Sequence, residues 1–200
     1  MRKSTLSLAV LLACLCLTSC APVIVGRTPQ PAAPGEWKFS LNAGYPSNIG
    51  YPPNQVPVAQ PVNLFLSRGV GGNTEVNGTL TLPYGGTPLR LGGKTLLVDD
   101  MVPVAVDYGV SLPAIVFDAG LLFSYPQPGV EPYGALRGFV TSPTSLPGLW
   151  GALTVGADIP VVRGNFFVEV TAHTMTPTPF YDSPQPPIGF SIVPALGYRF

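Results

Sequence analysis

The sequence predicts an all-β fold, an antiparallel up-and-down β-barrel of eight to ten strands. Three observations carry that expectation. The first is composition: 25 prolines and 23 glycines in 200 residues are too many for helices, whose interiors both residues disfavour, and they suit short strands joined by turns. The second is period. Segment after segment places large apolar residues at every second position, which gives a strand two unlike faces. The third is charge. Only 10% of residues are charged, against about 25% in ordinary soluble domains, and within the strands they keep to one parity.

The elements follow in order. Residues 36–45 alternate Trp37, Phe39, Leu41, Ala43 and Tyr45 with Lys38, Ser40, Asn42 and Gly44. Residues 46–61 hold enough proline to read as a long loop. Residues 62–70 form a less regular strand, because Phe65 falls among Asn63 and Ser67, and Gly71-Gly72-Asn73 turns the chain. Residues 75–84 resume the pattern with Val76, Leu80, Leu82 and Tyr84 against Glu75, Asn77 and Thr79. Residues 89–98 are a weaker strand, ended by Asp99-Asp100. From Val102 to Leu112 the even positions are apolar; after Pro113 the odd ones are, from Ile115 to Tyr125. One continuous strand would be about twice the length that crosses a bilayer, so the parity flip predicts a hairpin. Strands at 133–141, 151–161 and 166–174 follow, the last two joined by Arg163-Gly164-Asn165. A second proline-rich loop, 176–187, precedes a closing strand over 188–200.

The N-terminus is a targeting segment. Arg2 and Lys3 precede an apolar run from Leu6 to Leu17, too short to span a membrane comfortably, and then Leu17-Thr18-Ser19-Cys20. That tetrad resembles the lipobox of bacterial lipoproteins. The resemblance implies a signal peptide over 1–19, cleavage before Cys20, acylation of Cys20 and contact with the lipoprotein-processing enzymes. Ordinary signal cleavage after Ala21 competes, although Pro22 would then follow the cut. In the enteric sorting rule Asp after the lipidated Cys retains a lipoprotein in the inner membrane; Ala21 is compatible with the outer one. The three cysteines all lie in this segment, so the mature chain has neither disulfide nor thiolate metal site. Residues 20–35 are rich in Pro and Ala without a period and read as a lipidated, extended tether, leaving 36–200 as the barrel domain.

Counted back from the carboxyl terminus, Phe200, Tyr198, Leu196, Pro194, Ile192, Phe190 and Ile188 alternate with small or polar residues. A chain ending on such a strand resembles bacterial outer-membrane β-barrels. The resemblance implies that Tyr198 and Phe200 form an assembly signal for the barrel-insertion machinery, and that the barrel is transmembrane with outer-membrane lipid around it. Loop lengths agree. Such barrels keep short turns in the periplasm and long loops outside, which places 46–61 and 176–187 outside and the lipidated N-terminus in the periplasm.

A soluble barrel binding an apolar ligand shows the same alternation turned inside out. Its water-facing set should be rich in Lys, Glu and Arg, whereas here the polar set is mostly Ser, Thr, Asn, Gly and Ala. That suits a narrow lumen. Lys38, Asp107, Asp118, Arg137, Asp158, Glu169, His173 and Arg199 are then expected to form a neutralising network inside it. Arg68 alone, near a strand end, breaks the parity. His173, the only histidine, lies four residues from Glu169, which leaves an outer-membrane lipid- or peptide-modifying enzyme as a further alternative. No phosphate loop, metal cluster or catalytic motif appears, so no cofactor, metal or catalytic residue is assigned. The zero net charge gives no reason to expect nucleic acid. The expected role is structural in the envelope, or that of a narrow channel.

Overall fold

The computed structural model describes residues 25–44, 47–49, 62–82, 89–112, 115–141, 149–175 and 189–200. Among them are eleven strands and no helix: β1 Trp37–Gly44, β2 Ser47–Ile49, β3 Val62–Gly71, β4 Thr74–Leu82, β5 Leu89–Val98, β6 Val104–Leu112, β7 Val116–Ser124, β8 Glu131–Thr141, β9 Leu149–Val161, β10 Gly164–Met175 and β11 Gly189–Arg199. From β3 on, each strand pairs antiparallel with its successor, β1 pairs with β3, and β11 returns to β1. The three-residue β2 continues the line of β1 along β11, so the closed ring has ten staves. Residues 47–49 had been expected within a proline-rich loop. They lie between Pro46 and Pro52 and retain their N–H groups, and three such residues suffice for the ladder. The rest of that loop and the loop at 176–187 lie outside the described residues.

The junction near Pro113 is a hairpin, with Ser111 opposite Val116. At the other end the turns are short. Gly72 (φ 53°) and Asn73 join β3 to β4, a left-handed position that glycine adopts without strain. Residues 162 and 163 join β9 to β10. These turns share a rim with Glu36 and Phe200, and the Phe200 N–H donates to the Phe39 carbonyl at 2.8 Å to seal the ring.

The register fixes the shape. One row of partners runs Glu36, Gly69, Glu75, Lys94, Asp107, Gly120, Arg137, Ala152, His173, Ser191 and arrives at Asn48, twelve residues beyond its start. Ten staves with that stagger tilt by about 40° and enclose a backbone radius of about 10 Å.

The two faces are inverted relative to a water-soluble domain. Trp37, Leu136, Leu153, Val155 and Leu196 are each more than half exposed, and 28 further large apolar residues are at least about a third exposed. Arg90, Lys94, Glu75, Asp107 and Asp158 are at most 2% exposed. At the rim Phe200 packs edge-on to Tyr198 at 4.6 Å and tilted to Phe39 at 5.9 Å, and Arg68 sits on the outside over the Trp37 ring.

Candidate functional site

The site is the lumen, and its largest feature is one the sequence did not reveal. Residues 25–35, read above as a tether, run extended but inside the ring. Val25, Arg27, Thr28 and Ala32 are all about 5% exposed or less. This strap enters over the rim beside β3, where Gly35 N–H donates to Gly69 O at 2.8 Å. A Cβ at Gly69 would overlap the carbonyl oxygens of Ala32 and Ala33, so the wall must be bare backbone there.

Wall side chains hold the strap by its backbone. Glu75 Oε2 accepts Ala32 N–H at 2.7 Å, and Lys94 Nζ donates to the Thr28 and Gln30 carbonyls, each at 2.9 Å. Lys38 Nζ donates to Pro31 O at 3.2 Å. Deepest in the lumen, Glu169 accepts Val25 N–H at 2.7 Å and Gly26 N–H at 2.8 Å, and the Tyr133 hydroxyl completes its coordination at 2.7 Å. Gly26 has φ 57°, and a Cβ on it would stand 2.8 Å from Phe167 Cζ. Only glycine fits that bend.

Arg27 reaches the centre of the barrel. Its Nη2 donates to Asp107 Oδ2 at 2.5 Å, and its guanidinium lies 4.7 Å from the Phe65 ring centroid. The same Asp107 oxygen accepts from Arg90 at 3.1 Å and Arg137 at 2.7 Å. Arg90 grips Asp118 with two parallel hydrogen bonds, at 2.8 and 2.6 Å, and reaches Asn77 with a third nitrogen. Arg137 also meets Asp118 at 3.0 Å. The result is a layer of three guanidiniums and two carboxylates across the lumen. Burying so many charges is tolerable only because each faces its opposite.

Above that layer the filling changes. Phe139 and Trp150 stack at 3.9 Å over Val116 and Ala152, with the His173 ring 6.1 Å from Trp150. Thr154 and Thr171 share a hydrogen bond of 2.7 Å on the wall. Near the lower rim Asp158 pairs with Arg199 and accepts from Asn165.

Of the eight residues expected in the lumen network, Asp107, Asp118 and Arg137 meet in one layer. Asp158 and Arg199 form a separate pair, and Lys38 serves the strap. Glu169 serves the strap as well, and His173 makes no ion pair among the described residues. Arg90, Lys94 and Glu75 keep the inward parity but stood outside the eight, and Arg27 and Tyr133 are the members that sequence reasoning missed altogether. A signal for Arg27 existed: it is the one charge in residues 21–35. Among the described residues the inward charges are six cations, Arg27, Lys38, Arg90, Lys94, Arg137 and Arg199, and six anions, Glu75, Asp107, Asp118, Glu131, Asp158 and Glu169. Without Arg27 the wall is one positive charge short. No His, Cys, Asp and Glu group among the described residues could hold a metal ion.

No protein-family profile and no curated protein matches the chain. Several solved structures align with it. The N-terminal β-barrel domain of Pseudomonas aeruginosa OprF is 11% identical over 83% of this chain and 99% of that one, with a TM-score of 0.33. Ail, the attachment invasion locus protein of Yersinia pestis, is 14% identical over 84% and 100%, with a TM-score of 0.30. The outer membrane protein OprG from Pseudomonas aeruginosa is 10% identical over 87% and 99%, with a TM-score of 0.29. Likenesses this loose transfer no role to this chain.

Proposed function

We propose that this chain is a small lipid-anchored barrel of the bacterial outer membrane, structural in the envelope, with its lumen kept shut. The observation that carries the reading is the inversion of its faces. An outward belt of Trp, Leu, Val and Phe around buried charge is stable in hydrocarbon and a liability in water. The short turns share a rim with both ends of the ring, and this rim is the periplasmic one in the proposed orientation. The Leu17-Thr18-Ser19-Cys20 tetrad supports acylation of Cys20 by the lipoprotein-processing enzymes, and the Tyr198–Phe200 end supports delivery by the barrel-insertion machinery.

The filled lumen favours the structural role over the channel. Strap, charged layer and aromatic stack succeed one another along the axis among the described residues. Paired charges across the middle of the lumen do not favour an apolar ligand. The Glu169 carboxylate is taken up by Val25, Gly26 and Tyr133, so it does not act as partner to His173.

A lipid-soluble photoprobe tests the reading in reconstituted vesicles. Labelling is expected on Leu153, Val155, Leu196 and Val168 and not on Thr154 or Phe167. Failure to label any outward residue would remove the membrane from the proposal. Intact mass of the mature protein tests the anchor: a start at Cys20 carrying acyl chains is expected, and an unmodified start at Pro22 would remove the anchor alone.

A further inference from the structure

We propose that Arg68 and Trp37 form a site on the outer wall for the phosphate of an anionic phospholipid in the periplasmic leaflet. The proposal rests on the membrane barrel and the orientation given above. Among the described strands Arg68 is the one charge that faces outward. It stands inside the apolar belt. On β3 Leu66 lies on one side of it and Val70 on the other, and across the ladders its partners are Trp37 on β1 and Val76 on β4. All four are between 45% and 57% exposed, so the guanidinium has apolar outer-face neighbours on every side. Trp37 opens an aromatic girdle that Phe39, Phe200 and Tyr198 continue, and such girdles sit at the level of the headgroups.

No carboxylate answers this charge. Arg68 makes no ion pair among the described residues. The two acids opposite its neighbour Gly69 are engaged elsewhere. Glu36 Oε2 accepts the Ala33 N–H at 2.7 Å, and Glu75 lies inside the wall against Ala32 N–H and Lys94. What the protein does supply is a platform: the guanidinium carbon stands 5.2 Å from the Trp37 ring centroid. A guanidinium stacked by its face keeps its N–H donors in the plane, at its edge, where a phosphate accepts two of them in parallel. A charge at the margin of hydrocarbon draws its counter-charge from the membrane. One residue from Gly69 at the rim, Arg68 is within a side chain's length of the headgroup layer. A zwitterionic headgroup brings its own ammonium to the phosphate, so an anionic one gains more from the arginine.

The test reads Trp37 itself. The chain has two tryptophans, and Trp150→Phe leaves Trp37 as the only one. The full chain is placed in phosphatidylcholine vesicles that hold a minor fraction of lipid brominated on the acyl chain near the glycerol, either phosphatidylglycerol or phosphatidylcholine. Bromine on the chain makes the quenching report lipid and not free phosphate. Brominated phosphatidylglycerol should quench Trp37 as though enriched about fivefold over its mole fraction, the worth of one arginine near the membrane surface. Brominated phosphatidylcholine should quench it at its mole fraction. Arg68→Gln should abolish the preference. Arg163→Gln, which removes an equal charge from the turn of β9 and β10, should leave it intact. Should Trp150→Phe not fold, native mass spectrometry makes the same comparison: wild type should carry phosphatidylglycerol out of detergent and Arg68→Gln should not. Equal quenching by the two lipids, a preference that survives Arg68→Gln, or one that falls equally with Arg163→Gln would overturn the site and leave the membrane barrel standing. Quenching by neither lipid would overturn the membrane barrel, and the site with it.

Discussion

The carboxylate of Glu169 accepts the backbone N–H of Val25 at 2.7 Å, across 144 residues of sequence. Gly26 N–H and the Tyr133 hydroxyl use the remaining acceptor capacity. Glu169→Gln would leave one oxygen for these donors and turn an amide N–H₂ toward them. The expected loss is about 2–3 kcal/mol, since hydrogen bonds to a charged group are worth about 1.5–3 kcal/mol. Tyr133→Phe, which removes one such bond, should cost about 1.5–3 kcal/mol. Urea unfolding in vesicles reads both, and a silent Glu169→Gln would mean that the strap is not held there.

Asp107 gathers Arg27, Arg90 and Arg137 on one oxygen. Asp107→Asn should be the most damaging single change in the lumen, about 3–5 kcal/mol, because it strands buried cations. Arg27→Ala removes one of the three and should soften the effect. In a double-mutant cycle the pair should be less destabilised than the sum of the singles. Strict additivity would refute the contact.

Leu153 is 51% exposed on the outer face, within β9. Leu153→Arg in a soluble barrel would be close to neutral. Facing hydrocarbon it should cost about 2–4 kcal/mol. Folding equilibrium in vesicles gives the number. A value near zero would argue for water outside the ring.

The purified protein should not conduct in planar bilayers. Gly26→Val should not conduct either, because the charged layer and the Phe139–Trp150 stack remain above the vacated strap. Stable channels from the wild type would contradict the closed lumen. Channels from Gly26→Val alone would show that the strap is the whole seal.

How much of this was legible in the sequence differs from residue to residue. Period two marked the strands well, because a one-residue slip would send Leu153 inward and Thr154 outward. Parity also placed Arg137, Asp158 and Glu169 inside before any geometry was known. The hairpin of β6 and β7 near Pro113 followed from a parity flip. Beyond the lone charge of Arg27 the strap was not legible, because backbone groups recognised by Lys94 and Glu75 leave no side-chain pattern to see. Composition made residues 25–35 a tether, and proline-rich chain is extended whether it hangs in solvent or lies against a wall. Inward rings such as Phe65, Phe139 and Phe167 blurred their strands for a related reason: a lumen too narrow for water still has to be filled.

Gly69, which lets the strap cross the rim, also bears on the order of assembly. Every pairing around the ring joins neighbouring staves except the last, β1 with β11, which brings together residues some 160 positions apart and forms late for that reason. The strap is covalently continuous with β1. A chain whose strap lay outside at the moment of closure must feed it in afterwards over the bare backbone at Gly69. A side chain at that position would shut this late route. Gly69→Val should thus yield barrels that seat the strap by neither route, since its side chain would also overlap the Ala32 and Ala33 carbonyls of a strap already inside.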